Sequence, residues 1–193
     1  MNSSKNKLRQ HFTEHVDVQR KTLDLVENNI LKISEKLSNA LSKNKKIMWC
    51  GNGGSATDAM HLSGELVGRF NKDRKSLKSI CLSSDTSNLT CISNDYGYEK
   101  VFSRQIEGLG DKGDVLICLS TSGKSKNILS ALTVAKNLGI FTISLLGKNG
   151  GDSKGLSDLE IIIPSNTTAR IQEMHLFIGH IICDLIEEKL KLK

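Results

Sequence analysis

Residues 47–70 read IMWCGNGGSATDAMHLSGELVGRF, and three kinds of segment follow one another within them. The apolar run from Ile47 to Cys50 has the character of a buried strand, Gly51, Asn52, Gly53 and Gly54 break it, and Ser55 opens a helix. At such a junction free N–H groups lie at the positive end of a helix dipole, and glycines let a ligand approach the backbone, so it suits an anion. His61 and Glu65 follow on the same helix. Their spacing puts an imidazole and a carboxylate on one face beyond the anion seat, close enough to share a metal or a substrate. Each feature alone has an ordinary reading: glycine turns end strands in many α/β proteins, and a His/Glu pair at this spacing is commonly just solvated.

The chain has 193 residues, which fits one domain, at most with a helical extension, and suffices for a proper core. Lys and Arg number 27 against 21 Asp and Glu, a net charge of +6 that suits anionic substrates. Aromatics are only 4% of residues and no dense basic block interleaves with them, which argues against nucleic-acid binding. Cys50, Cys81, Cys91, Cys118 and Cys183 form no CxxC pair, and three of them lie in apolar runs that read as strands, as reduced core thiols would. The N-terminal MNSSKNKLRQ lacks the apolar segment of a signal peptide and no run reaches membrane-spanning length. A soluble cytoplasmic protein that does not engage a membrane is expected.

Upstream of the central stretch, Leu8, Phe12, Val16, Leu23, Val26, Ile30, Ile33, Leu37 and Leu41 recur in steps of three, four or seven, which predicts one long amphipathic helix or two in sequence, ending near Asn44. Residues 1–45 are thus expected to form a helical arm that packs on another copy, with 46–193 as the main domain. His11 and His15, also four apart, stand beside no glycine turn and read as helix-surface or interface residues. Downstream, 71–76 is a polar loop, and further strands are expected at Ile80–Leu82, Val115–Leu119, Ile140–Leu146 and Leu159–Ile163. Residues 83–102 read as a loop and two short helices broken around residues 94–97. An amphipathic helix should run to about Leu138, the GKNGGDSKG segment at 147–155 should be a mobile loop, and a last helix should start near Thr168. Strands alternating with helices define an α/β protein: a doubly wound, five-stranded parallel sheet flanked by helices.

Ser120, Thr121, Ser122 and Ser125 lie between the central strand and its helix. The carboxyl end of a parallel strand is where open α/β sheets bind ligands, and hydroxyls with backbone amides hold phosphate without a metal. A serine-rich turn can also merely cap a helix, but four hydroxyls are more than a cap requires. Two other motifs fail here. Gly123-Lys124-Ser125 ends like a nucleoside-triphosphate P-loop, but the glycine needed five residues earlier is Cys118. Gly51, Gly53 and Ala56 fit GxGxxA, but the acid that should tip the next strand comes late, at Asp85.

GNGGS followed by STSGKS resembles the sugar isomerase (SIS) domain, a phosphosugar-binding fold, here spanning roughly residues 37–193. CGNGGSATDAMHLSGEL, ISNDYGYEKVFSRQIEGLG, GDVLICLSTSGKSKNI, LLGKNGGD and ARIQEMHLFIGH are similar to the phosphoheptose isomerase family in blocks covering nearly the whole chain. The resemblance implies an aldose–ketose isomerase that turns sedoheptulose 7-phosphate into D-glycero-D-manno-heptose 7-phosphate for lipopolysaccharide or capsule. It also implies a homotetramer with active sites between subunits and one Zn2+ per subunit. Carried over by position, Asn52, Gly53, Gly54 with Ser55, Asn94, Asp95, Ser120, Thr121, Ser122 and Ser125 match substrate-binding positions. His61, Glu65, Gln172 and His180 match metal-binding and catalytic ones, with Glu65 and Gln172 also placed on substrate.

Such an isomerisation moves one proton between C2 and C1 and another between the two oxygens, through a cis-enediol. Glu65 is the resemblance-backed base and His180 its partner acid or base. Gln172 and His180 stand eight residues apart, an axial distance of about 12 Å on a straight helix, whereas metal ligands sit ~2 Å from the ion. They are therefore expected to meet one ion only from different subunits, or else one of them serves substrate. His175 carries no assignment and is expected to be packed. Ala169 departs from the family, many of whose members carry an acid there. The alternative is a non-catalytic SIS-domain tetramer that binds the replication initiator, which this chain resembles in SDTSNLT and ARIQEMH. That relative has asparagine at the position of His180, so the histidine favours the enzyme.

Overall fold

The computed structural model describes residues 2–71 and 73–191. Helix α1 (Asn2–Ser42) leads into strand β1 (Ile47–Gly51) and helix α2 (Gly54–Val67). Then come β2 (Ser79–Cys81), α3 (Thr86–Tyr96), α4 (Ser103–Leu109), β3 (Val115–Ser120), α5 (Lys126–Asn137), β4 (Phe141–Gly147), β5 (Leu159–Ile163) and α6 (Thr168–Lys189). The five strands form one parallel sheet in the order β2-β1-β3-β4-β5, with Ile47 against Val115 and Cys50 against Cys118 in the central pair. The chain leaves β1 to one side and returns on the other at β3, so the topological switch lies between them, where ligands of such sheets bind.

Strand alternation divides the core into two. Ile47, Trp49, Val115 and Ile117 face α1, α2 and α6, whereas Met48, Cys50, Leu116 and Cys118 face α3, α4 and α5. With both faces covered, β1 and β3 are buried at every position, which explains their unbroken apolar sequence. Trp49 is buried with them because its indole N–H donates to Ser79 Oγ at 2.9 Å.

Helix α1 is a single element with neither glycine nor proline inside it, closed where Asn44 adopts the left-handed conformation. Its second half supplies Ile30, Ile33 and Leu37 to the core beside α6, while Leu8, Phe12, Leu23 and Leu25 stay exposed. The segment expected to be a mobile loop is instead packed: Ser153 is buried, and its N–H and hydroxyl both donate to the carbonyl of Gly123, at 2.9 and 2.8 Å. A short 3-10 turn at Gly151–Ser153 makes that reach possible.

Candidate active site

The loops after β1 and β3 flank the switch point. Gly53 caps α2 in a positive-φ conformation (56°) without a side-chain cap, which leaves the helix start open to a ligand. A Cβ on Gly51 would lie 2.5 Å from the Ser55 carbonyl oxygen, so only glycine permits this tight turn into the helix. Asn52 is held in a reciprocal amide pair: each of Asn52 and Asn127 donates its side-chain N–H to the other's oxygen at 2.9 Å, and the Tyr98 hydroxyl donates to Asn52 Oδ1 at 2.9 Å. The pair ties the loop after β1 to the start of α5 across the switch point. A cavity of about 360 Å3 lies against Asn52, Tyr98, Ser125 and Asn127.

In the second loop Ser120 Oγ accepts from the Gly123 N–H at 3.1 Å and Ser122 Oγ from that of Lys124 at 3.2 Å. Ser125 is the N-cap residue of α5 yet makes no capping bond with its side chain, and Thr121 is half-buried beside it. A mere cap would have used that hydroxyl. Asn94 and Asp95 are exposed at the end of α3 and bond to each other at 2.8 Å. The 3-10 turn at Tyr98–Lys100 that follows α3 brings the Tyr98 hydroxyl to Asn52.

A second group lies further along α2, where it runs beside α6. Leu62 touches Gly179, where a Cβ would come within 2.4 Å of it, and this close approach sets His61 against His180. Their Nε2 atoms are 2.9 Å apart, His61 Nε2 is 3.1 Å from Glu65 Oε1, and one ligand atom from each of the three residues falls within 4.8 Å of the others. Two imidazole nitrogens and a carboxylate oxygen turned toward one point crowd acceptors together unless protons or a cation sit among them, so this donor set fits a metal ion. Gln172 is not in the group. Its side chain lies against Gly54, at the start of α2, where a Cβ would meet Nε2 at 2.2 Å. Seven residues separate Gly54 from His61, an axial distance of about 10 Å. Within one chain Gln172 therefore lies beside the start of α2 and His180 in the three-residue cluster.

Several neighbours carry no signal in the sequence. Asp58, on α2 one turn before Leu62, is half-buried with Oδ2 unpartnered, and burial pushes its carboxyl up against the opposing pull of His61. His175 is fully buried, bonds through Nε2 to the Leu146 carbonyl at 3.0 Å, and is lowered to about 4 by that burial, as a packed residue would be. Asn127 and Tyr98 could have been found only from the fold, which brings residues 52, 98 and 127 to one edge.

Residues 10–147 match the family model of the SIS domain, more than half of the chain, and the protein belongs to that family. The chain is 54% identical over 181 residues to a phosphoheptose isomerase from Nitratiruptor sp., covering 94% of this chain and 97% of that one. It is 51% identical over 180 residues to one from Helicobacter pylori, covering 93% and 94%. The phosphoheptose isomerase structure from Neisseria gonorrhoeae aligns with a TM-score of 0.89 at 36% identity over 95% of this chain and 98% of that one. The one from Francisella tularensis gives 0.93 at 32% over 96% and 98%. Within the SIS family, then, the chain belongs to the phosphoheptose isomerases, which are aldose–ketose isomerases.

Proposed function

We propose that this protein converts sedoheptulose 7-phosphate to D-glycero-D-manno-heptose 7-phosphate through an enediol, as a step of heptose biosynthesis for lipopolysaccharide or capsule. One observation carries the reading: a single helix, α2, presents an uncapped glycine start at one end and the His61–Glu65–His180 cluster about two turns on. The phosphate on C7 and the reacting C1 and C2 likewise lie at opposite ends of the sugar.

The phosphate would sit on the amides and hydroxyls of Ser55, Ser120, Thr121, Ser122 and Ser125, with Asn52, Gly53 and Gly54 closing over the chain and Asn94 and Asp95 reaching the sugar hydroxyls. Glu65 takes the proton from carbon and returns it to the neighbouring carbon, while His180 carries the proton between O1 and O2. The residues that would hold zinc are His61, Glu65 and His180, all in reach of one another in one chain. Zinc bound there supplies Lewis-acid polarisation of the substrate carbonyl. We assign Gln172 to the sugar in its own chain, since its contact with Gly54 supports that role over ligation beside His180. Assembly as a homotetramer through the residue 1–45 arm, with sites near the interfaces, is supported by the exposed Leu8, Phe12, Val16 and Leu23 of α1. The five free cysteines support a cytoplasmic location, and no described helix is long and apolar enough to cross a membrane.

Proton NMR of the purified protein with sedoheptulose 7-phosphate tests the reading. Aldose phosphate should form, stop after treatment with a chelator and resume on adding zinc. A preparation that binds the sugar phosphate and never forms aldose under any metal condition would overturn it.

A further inference from the structure

We infer that the buried pair Arg74–Glu187, together with Phe70, is a positioning device for His180 and Glu65, an inference that rests on the isomerase site proposed above. Sequence reading places Arg74 in a polar loop and gives Glu187 nothing to do. In the fold the two meet with Arg74 Nε 2.7 Å from Glu187 Oε1 and their side chains 1% and 2% exposed. Taking two charges out of water is costly, and such a pair persists where its geometry fixes something.

What it fixes is visible in its other bonds. Arg74 Nη2 donates to the Glu65 carbonyl at 2.7 Å and Nη1 to that of Leu66 at 2.9 Å, so the guanidinium closes the last turn of α2, where carbonyls lack helical partners. Glu187 accepts the backbone N–H groups of Phe70 and Asn71, both at 3.1 Å. The Phe70 ring, thus anchored, stacks on the His180 imidazole with centroids 5.4 Å apart and planes 25° from parallel. Glu187 follows His180 by two turns on α6, so the clamp spans both helices that carry the cluster. The described bonds of Arg74 and Glu187 go to backbone groups and to each other. The pair acts through the backbone of Glu65 and the ring of Phe70, which keeps Nε2 of His180 facing His61. Groups of this kind around a metal-binding histidine commonly govern metal affinity.

The test compares full-length wild type with Phe70→Leu, Phe70→Tyr and Arg74→Lys, measuring zinc affinity by competition with a chromophoric chelator alongside kcat and KM. Phe70→Leu keeps apolar bulk at a half-buried position and should fold, as circular dichroism would record. Arg74→Lys keeps the charge, but its single nitrogen cannot take the three separate positions from which Nε, Nη1 and Nη2 reach Glu187, Leu66 and Glu65. Phe70→Leu and Arg74→Lys should bind zinc about 10- to 100-fold more weakly and lose kcat at unchanged KM, because the phosphate loops lie at the other end of α2. Phe70→Tyr, which restores the ring, should bind zinc as wild type does. Folded Phe70→Leu with wild-type zinc affinity would overturn the inference. If wild type binds zinc without isomerising sugar, the functional reading fails, and the zinc affinities still decide the role of the clamp.

Discussion

Replacing Gly123 by alanine attacks the contact that joins the loop after β3 to the segment after β4. Gly123 has a φ of +64°, and a Cβ there would lie 1.9 Å from the Gly150 carbonyl oxygen and 2.5 Å from its carbon. The obstacle is backbone, so no rotamer relieves it, and the 147–153 segment must retreat by about 1 Å. The left-handed conformation costs an alanine about 1–2 kcal/mol, and the retreat breaks both Ser153 hydrogen bonds to the Gly123 carbonyl, worth about 1 kcal/mol each. A loss of about 3–4 kcal/mol follows, a large share of the roughly 5–15 kcal/mol that holds a domain together. Urea denaturation of Gly123→Ala should show that loss. Because the amides of Ser122 to Ser125 shift with it, KM for the sugar phosphate measured on the folded fraction should rise roughly 10-fold or more. Ser153→Ala, which removes one hydrogen bond and no space, should cost only about 1 kcal/mol and leave KM close to wild type. Wild-type stability and KM for Gly123→Ala would refute the claim that the two loops are locked together.

Burial holds His175 at about 4, against 6.5 when exposed, so the unfolded chain binds a proton that the fold refuses. Its contribution is complete above about pH 6.5 and is lost as the pH falls toward 4. The unfolding free energy should drop by about 2 kcal/mol between pH 7 and pH 5 from this residue; His175→Leu should remove that part of the slope, and an unchanged slope would contradict the burial argument. Ser125→Ala separates capping from ligand binding. With no capping bond to lose, its urea midpoint should stay at wild type, while loss of a charge-assisted hydrogen bond to phosphate, about 1.5–3 kcal/mol, raises KM roughly 10- to 100-fold. A lower midpoint with unchanged KM would make Ser125 a cap only.

The sheet was legible because β1 and β3 are covered on both faces and so cannot alternate; their apolar runs have no other stable use. The glycine junction and the His61/Glu65 pair could be read from spacing alone, since both lie on one continuous helix. Helical rise also separated Gln172 from His180, and the fold places them at different ends of α2. What escaped depends on contacts between distant residues. Arg74 and Glu187 lie 113 apart in sequence, in segments that look like ordinary polar surface, and Asn127, 75 residues from Asn52, carries no sign in the sequence of pairing with it. The 147–155 segment looked free because its glycines signal flexibility, while their real use is to let its backbone pass against Gly123.

The most direct test of the enediol mechanism is hydrogen exchange. Purified protein is incubated with sedoheptulose 7-phosphate and zinc in D2O, with Glu65→Gln in parallel, and deuterium at C1 and C2 is followed by NMR. The wild type should incorporate deuterium and form aldose, and the variant should do neither while still binding the sugar phosphate. Tight binding with no exchange in the wild type would contradict the account, and the protein would then be read as a sugar-phosphate-binding scaffold.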